Sequence, residues 1–134
     1  TAERDSLSAP LDKIQIIKGW TENGKINEVV YDVICSDDRE INNRNNKCKE
    51  TKASVNFENC SFDENYGSDQ LELIWTDTEY TPDQNTFYYA RAIENPTCRW
   101  STYDSIRIDE KPAKNYPKIT REMAWSSPIW VKNN

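Results

Sequence analysis

The sequence predicts an all-β domain, an immunoglobulin-like β-sandwich with long loops and two disulfides. Three observations carry this expectation. Short runs of β-branched and aromatic residues are separated by turn signals, no long run repeats at helical spacing, and four cysteines lie far apart in a polar chain. The 134 residues are the size of one domain, so 1–134 is read as a single β-sandwich domain.

Residues 1–10 are polar and aperiodic, as in a linker or frayed terminus. The first strand is then Ile14-Gln15-Ile16-Ile17-Lys18-Gly19-Trp20 and the second runs from Ile26 to Cys35, where β-branched and aromatic residues dominate. Between them Asn23-Gly24 tolerates positive φ at both positions, the strongest short hairpin signal. Residues 36–52 hold Ile41 as their only large apolar side chain, so they form a surface loop tied down by cysteines. Extended segments are expected at 53–57 and 60–62, and a turn at 63–69 around Asn65 and Gly67. Leu71-Glu72-Leu73-Ile74-Trp75 fits a strand or a helix behind Ser68; the strand is preferred. Phe87–Ile93 is a further strand, stopped by Pro96. Pro112 and Pro117 punctuate a loop, and Thr120–Ala124 with Ile129–Val131 make a last strand pair or one kinked strand.

Composition bounds function. Seventeen Lys and Arg against 23 Asp and Glu give a net charge of −6, which repels nucleic-acid phosphate and anionic lipid at long range. No apolar stretch is long enough to span a membrane. Histidine is absent, which removes Ser-His-Asp triads, Cys-His nucleophiles and imidazole metal sites from this chain. Cys35, Cys48, Cys60 and Cys98 contain no C-x-x-C pair, so two disulfides are favoured over a zinc site, and disulfides require an oxidising compartment. The spacing does not fix the connectivity; of three pairings, Cys35–Cys48 with Cys60–Cys98 is the one chosen.

Each candidate for chemistry has a plainer explanation. Asp77, Glu79 and Asp83 are paired carboxylates of the kind that hydrolyse glycosides, yet acidic residues crowd every loop and a solvated connection accounts for them. Asp63, Asn65 and Asp69 around Gly67 offer oxygen ligands, but their spacing misses the EF-hand pattern and suits a turn. Trp20, Trp75, Trp100, Trp125 and Trp130, with Tyr66, Tyr80 and Tyr103, are enough aromatics for a sugar-stacking platform; Trp75 and Trp130 sit in apolar strands and are expected in the core, Trp100 at the surface. Asn59-Cys60-Ser61 fits a glycosylation acceptor pattern only weakly.

Three stretches in order carry a resemblance. They are Asp12–Trp20 (DKIQIIKGW), Phe87–Arg91 running through Asn95–Asp104 (FYYAR, NPTCRWSTYD), and Ala124–Trp130 (AWSSPIW). Together they resemble the C-terminal part of a bacterial exported family of unknown function, whose larger N-terminal portion is similar to PHP-type (polymerase and histidinol phosphatase) metallohydrolases. Trp75-Thr76-Asp77 with Tyr80 and Pro82-Asp83 also echoes that family, although Thr78 and Thr81 stand where proline and aspartate are expected.

The resemblance implies an extracellular or periplasmic protein in which this chain is a non-catalytic β domain. It implies that the domain is excised from the C-terminus of a larger polypeptide, which agrees with a chain opening on Thr1 without initiator Met or signal peptide. Metal ligands would then belong to the upstream catalytic domain, leaving no cofactor here, with a divalent metal upstream. The expected partner is that upstream domain, which this chain supports or lids, with no nucleic acid and no membrane span. The loop 95–104 is expected to face it: Arg99 meeting an anionic substrate or partner carboxylate, Trp100 packing beside it, Tyr103 and Asp104 completing the surface. The plainer alternative is that Arg99 and Trp100 brace the Cys98 crosslink. A free-standing module for glycans or protein partners is the alternative function.

Overall fold

The computed structural model describes residues 1–111 and 114–132. Strands β1 (Ala2–Glu3), β2 (Leu11–Glu22), β3 (Lys25–Cys35), β4 (Ile41–Asn42), β5 (Lys47–Cys48), β6 (Gln70–Leu71), β7 (Thr86–Glu94) and β8 (Thr97–Cys98) precede a helix α1 (Trp100–Arg107). Strands β9 (Ile119–Thr120), β10 (Met123–Trp125) and β11 (Ile129–Val131) follow it. The expected all-β, sandwich-like architecture is the one found, with every named pairing antiparallel.

One sheet dominates, ordered β10/β11–β7–β2–β3. The β2–β3 hairpin closes as Asn23-Gly24 predicts: both residues have positive φ (51° and 73°), and Glu22 pairs with Lys25. Strands β10 and β11 lie end to end along the same edge of β7, so they are one strand broken at Ser126-Ser127-Pro128. At the break the Ser126 side chain substitutes for backbone: its hydroxyl accepts the Ala90 N–H while its own N–H donates to the Ala90 carbonyl. Pro128 brings no N–H, which suits it to this interruption.

Opposed residues share a face. One face carries Ile14, Ile16, Tyr31, Tyr88, Ala90 and Ala92, extended at the edge by Ala124 and Ile129. The other carries Gln15, Ile17, Gly19, Asp32, Phe87 and Arg91. The apolar core is small: Leu11, Ile14 and Leu71, with Ala2, Val33 and Ile34 packed against them, lie where the short β1–β6 pair covers one end of the sheet.

Much of the buried volume is polar instead. Asp12, Gln15 and Lys18 all lie buried on the central strand. Asp12 is held by Arg39 and Arg121. Asp32 receives Gln15 at 2.6 Å, Lys13 at 3.0 Å and the Cys48 N–H at 2.9 Å, while Gln15 in turn accepts from Arg91. Burial pushes the Asp32 carboxyl up, but Cys48, Gln15 and Lys13 outweigh it and hold the group below the usual carboxylate range.

Both chosen disulfides are present, Cys35–Cys48 tying the β4–β5 loop to β3 and Cys60–Cys98 crossing to β8. Two formed disulfides fit an oxidising compartment. No helix among the described residues is long and apolar enough to cross a membrane.

Several expectations need correction. Segments 53–57 and 60–62 make only a single bridge, Val55 to Phe62, because Asn56 and Asn59 side chains take the N–H groups of Glu58 and Ser61 and turn the chain. Only Leu71 of the 71–75 run is in a strand; Ile74 is 95% exposed, and the chain instead crosses the first face so that Trp75 packs between Tyr31 and Tyr88. The expected loop 95–104 contains β8 and most of α1, a helix without an apolar stripe because its buried positions are Thr102 and Ser105. Trp130 is not core: it is 65% exposed at the sheet edge, its ring 5.1 Å from that of Phe87. Pro112 lies outside the described residues.

Gly19 explains the close packing on the second face. A Cβ there would fall 2.3 Å from the tip of the Phe87 ring, which lies across from it in the ladder. Gly19→Ala should therefore cost about 1–3 kcal/mol in urea unfolding, as overpacking does, and Gly19→Ala/Phe87→Leu should recover part of it. Replacing Cys60 and Cys98 by Ser should cost about 3–4 kcal/mol, more than the same change at the shorter Cys35–Cys48 loop; equal losses would contradict the chain-entropy account.

Candidate functional site

Two concave regions flank the sheet. The larger, about 830 Å³, is a trough along the first face. Its floor is Ile14, Ile16 and the small residues Ala90, Ala92 and Ala124, and its rim includes Trp75 and Ile129. Small side chains at three neighbouring ladder positions leave the depression, and the strap of residues 73–80 walls one end.

That strap is fixed by charge. Lys18, only 4% exposed, reaches Asp77 at 2.6 Å and donates to the Glu79 carbonyl at 3.0 Å. The Tyr88 hydroxyl donates to Asp77 at 2.6 Å, and the Tyr31 hydroxyl to Glu79 at 3.0 Å. Burial pushes Asp77 up, but Lys18, Tyr88 and the Glu79 N–H together hold it below the usual range. Burial first, then the Glu79 carboxylate, pushes Tyr31 up to about 12, and burial and Asp77 raise Tyr88 as well. Asp77 is thus not the solvated carboxylate that its acidic surroundings suggest but clamps the strap to the sheet, while Glu79 stays exposed and adds its bond to Tyr31 at the surface. Asp83 stays exposed. The expected turn at 63–69 does form, Asp63 capping the Asn65 N–H and Asp37 accepting from Gly67.

The second region is a groove of about 590 Å³ between the N-terminal segment, β7 and α1. Arg99, Trp100 and Tyr103 line it, so the structure brings together three of the four residues singled out from sequence; Asp104 is exposed on the helix and does not line it. Arg99 precedes the helix in extended conformation and its carbonyl accepts the Thr102 N–H, while its guanidinium lies over the Tyr116 ring at 5.4 Å. Tyr103 donates its hydroxyl to the Cys60 carbonyl, so the helix also braces the Cys60–Cys98 crosslink. Trp100 is 69% exposed.

Sequence reasoning did not single out Glu94 and Glu122, which line the same groove. They face each other only because β7 and the approach to β10 pair, a register invisible along the chain. The aromatics gathered as a sugar platform are divided: Trp75, Tyr80 and Trp125 at the trough, Trp100 and Tyr103 at the groove, Trp130 at the edge beside Phe87. Among the described residues no group of three or more Cys, Asp or Glu is placed to hold a metal ion.

The clamp gives a pH prediction. Because the folded-state value of Asp77 is depressed, its contribution is present above about pH 4, the unfolded carboxylate value, and is lost as pH falls through the folded value. Asp77→Asn should cost about 3 kcal/mol at pH 7, as removing one partner of a buried pair does, and should flatten the acid limb of a stability–pH curve. An unchanged acid limb would show that the clamp contributes nothing.

No curated protein and no solved structure matches the chain. A family model described as a protein of unknown function (DUF3604) matches residues 1–133. With its whole length but one residue covered, the chain belongs to the DUF3604 family, a family of unknown function.

Proposed function

We propose that this chain is the non-catalytic β domain of an exported, PHP-like, metal-dependent hydrolase of bacteria, and that it docks through its trough to support or lid an upstream catalytic domain. The observation that carries the reading is the unfilled apolar trough itself. A sheet face floored by Ile14, Ile16 and three alanines, with Ile129 67% exposed at its rim, offers apolar area that a neighbouring layer would remove from water. The strap clamp keeps this surface rigid, so docking carries little ordering cost. Two disulfides suit an extracellular or periplasmic setting. Arg99 and Trp100, on the far groove, are second contacts in this arrangement.

The test is a paired assay of the longer polypeptide and of this chain, measuring bound divalent metal and turnover on phosphoesters, carboxyl esters and amides. Metal and turnover in the long form alone are expected. Ile129→Glu should leave the isolated chain folded, since the side chain is exposed, yet lower turnover of the long form by about tenfold or more through a buried unpaired charge. Turnover by the isolated chain, or an indifferent Ile129→Glu variant, would overturn the reading.

A further inference from the structure

The two edges of the main sheet are unlike, and strand β3 forms the one opposite β10 and β11. In an antiparallel ladder the backbone groups of alternate residues face the partner strand, and those between face away. Asp32 donates its N–H to the Asn46 carbonyl and the Val30 carbonyl accepts the Lys47 ammonium, so the even-numbered residues of β3 face outward. Pairing with β2 is regular from Lys25 to Asp32, so Ile26 and Glu28 face outward too. Among the described residues no hydrogen bond reaches their N–H or carbonyl groups, and Ile26 is 84% exposed. The open stretch is bounded by the Asn23-Gly24 turn at one end and by Asn46, seated on the edge at Asp32, at the other.

We propose that this open edge of β3 pairs antiparallel with the same strand of a second copy of the chain, about a two-fold axis at Asn27. In that register the N–H and carbonyl of Ile26 meet those of Glu28 from the second copy, and the reverse, so the open groups of both residues are answered on both copies. Asn27 stands opposite Asn27, whose amides both donate and accept, and the Lys25 stem lies along Val29. Sterics and charge select this register. A shift of two residues one way sets Glu28 against Glu28 and drives the turn into Asn46; the other way leaves Glu28 facing the turn. The match between turn, open stretch and loop is a match of the strand to itself, which singles out a copy of this chain as the occupant. The inference goes beyond the docking reading, since no residue from 25 to 30 lines the trough.

The test is sedimentation of the chain up to about 1 mM, with amide hydrogen exchange followed in dilute and concentrated samples. So short an edge lies at the small end of interfaces, and a dimer with Kd of about 100 μM is expected. With a charge of −6 on each copy, association should tighten as salt rises. The Ile26 and Glu28 amides should exchange several-fold more slowly when concentrated, whereas Asn27 and Val29, already bonded to β2, should not change. Ile26→Glu, at an exposed position that leaves the fold intact, sets like charges opposite Glu28 and should weaken association about tenfold; adding Glu28→Lys should restore it. Glu28→Pro removes an outward N–H and should abolish the dimer. A monomer at about 1 mM, association undiminished in Ile26→Glu or Glu28→Pro, no rescue by the double variant, or loss in Ile129→Glu, which marks the trough, would overturn the proposal.

Discussion

The burial of charge on the central strand is the constraint on which the rest of this structure depends. The side chains of Asp12, Gln15 and Lys18 on strand β2 are covered by the loops packed over the sheet faces and have little water to turn to. An unpaired ion there would cost several kcal/mol, so each must draw a partner from elsewhere in the chain. Asp12 draws Arg39 from the first disulfide loop and Arg121 from the approach to β10; Gln15 bridges Asp32 and Arg91; Lys18 draws Asp77 across the sheet. These long-range pairs fix loops that have too few apolar residues to fix themselves. A core of only a few buried aliphatics becomes sufficient because polar groups define where each loop must lie.

This explains what the sequence revealed and what it hid. Local signals spoke for local structure: Asn23-Gly24 for the hairpin, Phe87–Ile93 for a strand, Pro96 for its end, and wide cysteine spacing for disulfides. Non-local pairing was silent. Residues 71–75 alternate like a strand, but their destination is set by Lys18 and by the Tyr31 and Tyr88 rings, contacts that no pattern within the segment encodes. Helix α1 was hidden because its buried side is Thr102 and Ser105, whose hydroxyls bond to the carbonyls of Lys118 and Thr102 rather than to an apolar partner. For the groove, Arg99, Trp100 and Tyr103 were legible from their odd chemistry in one short stretch. Glu94 and Glu122 were not, since nearly thirty residues separate them and only strand register joins them.

The two concave surfaces differ in how they meet water. The trough is aliphatic and small-residue, shaped for area rather than specificity. The groove mixes Glu94, Glu122 and Arg99 with the rings of Phe62, Trp100 and Tyr103.

The break at Ser126-Ser127-Pro128 has a consequence for the protein in concentrated solution. An outermost strand with an unbroken row of unpaired amides is a template on which another chain can add. Here the outer edge is cut into two three-residue pieces, with a proline that cannot donate and a serine side chain turned inward to cap Ala90. Trp125, Ile129 and Trp130 make this margin sticky, yet its backbone cannot extend a ladder beyond a few bonds. This margin therefore favours contact through side chains over growth of a shared sheet, whereas the opposite edge, the long strand β3, has no such interruption.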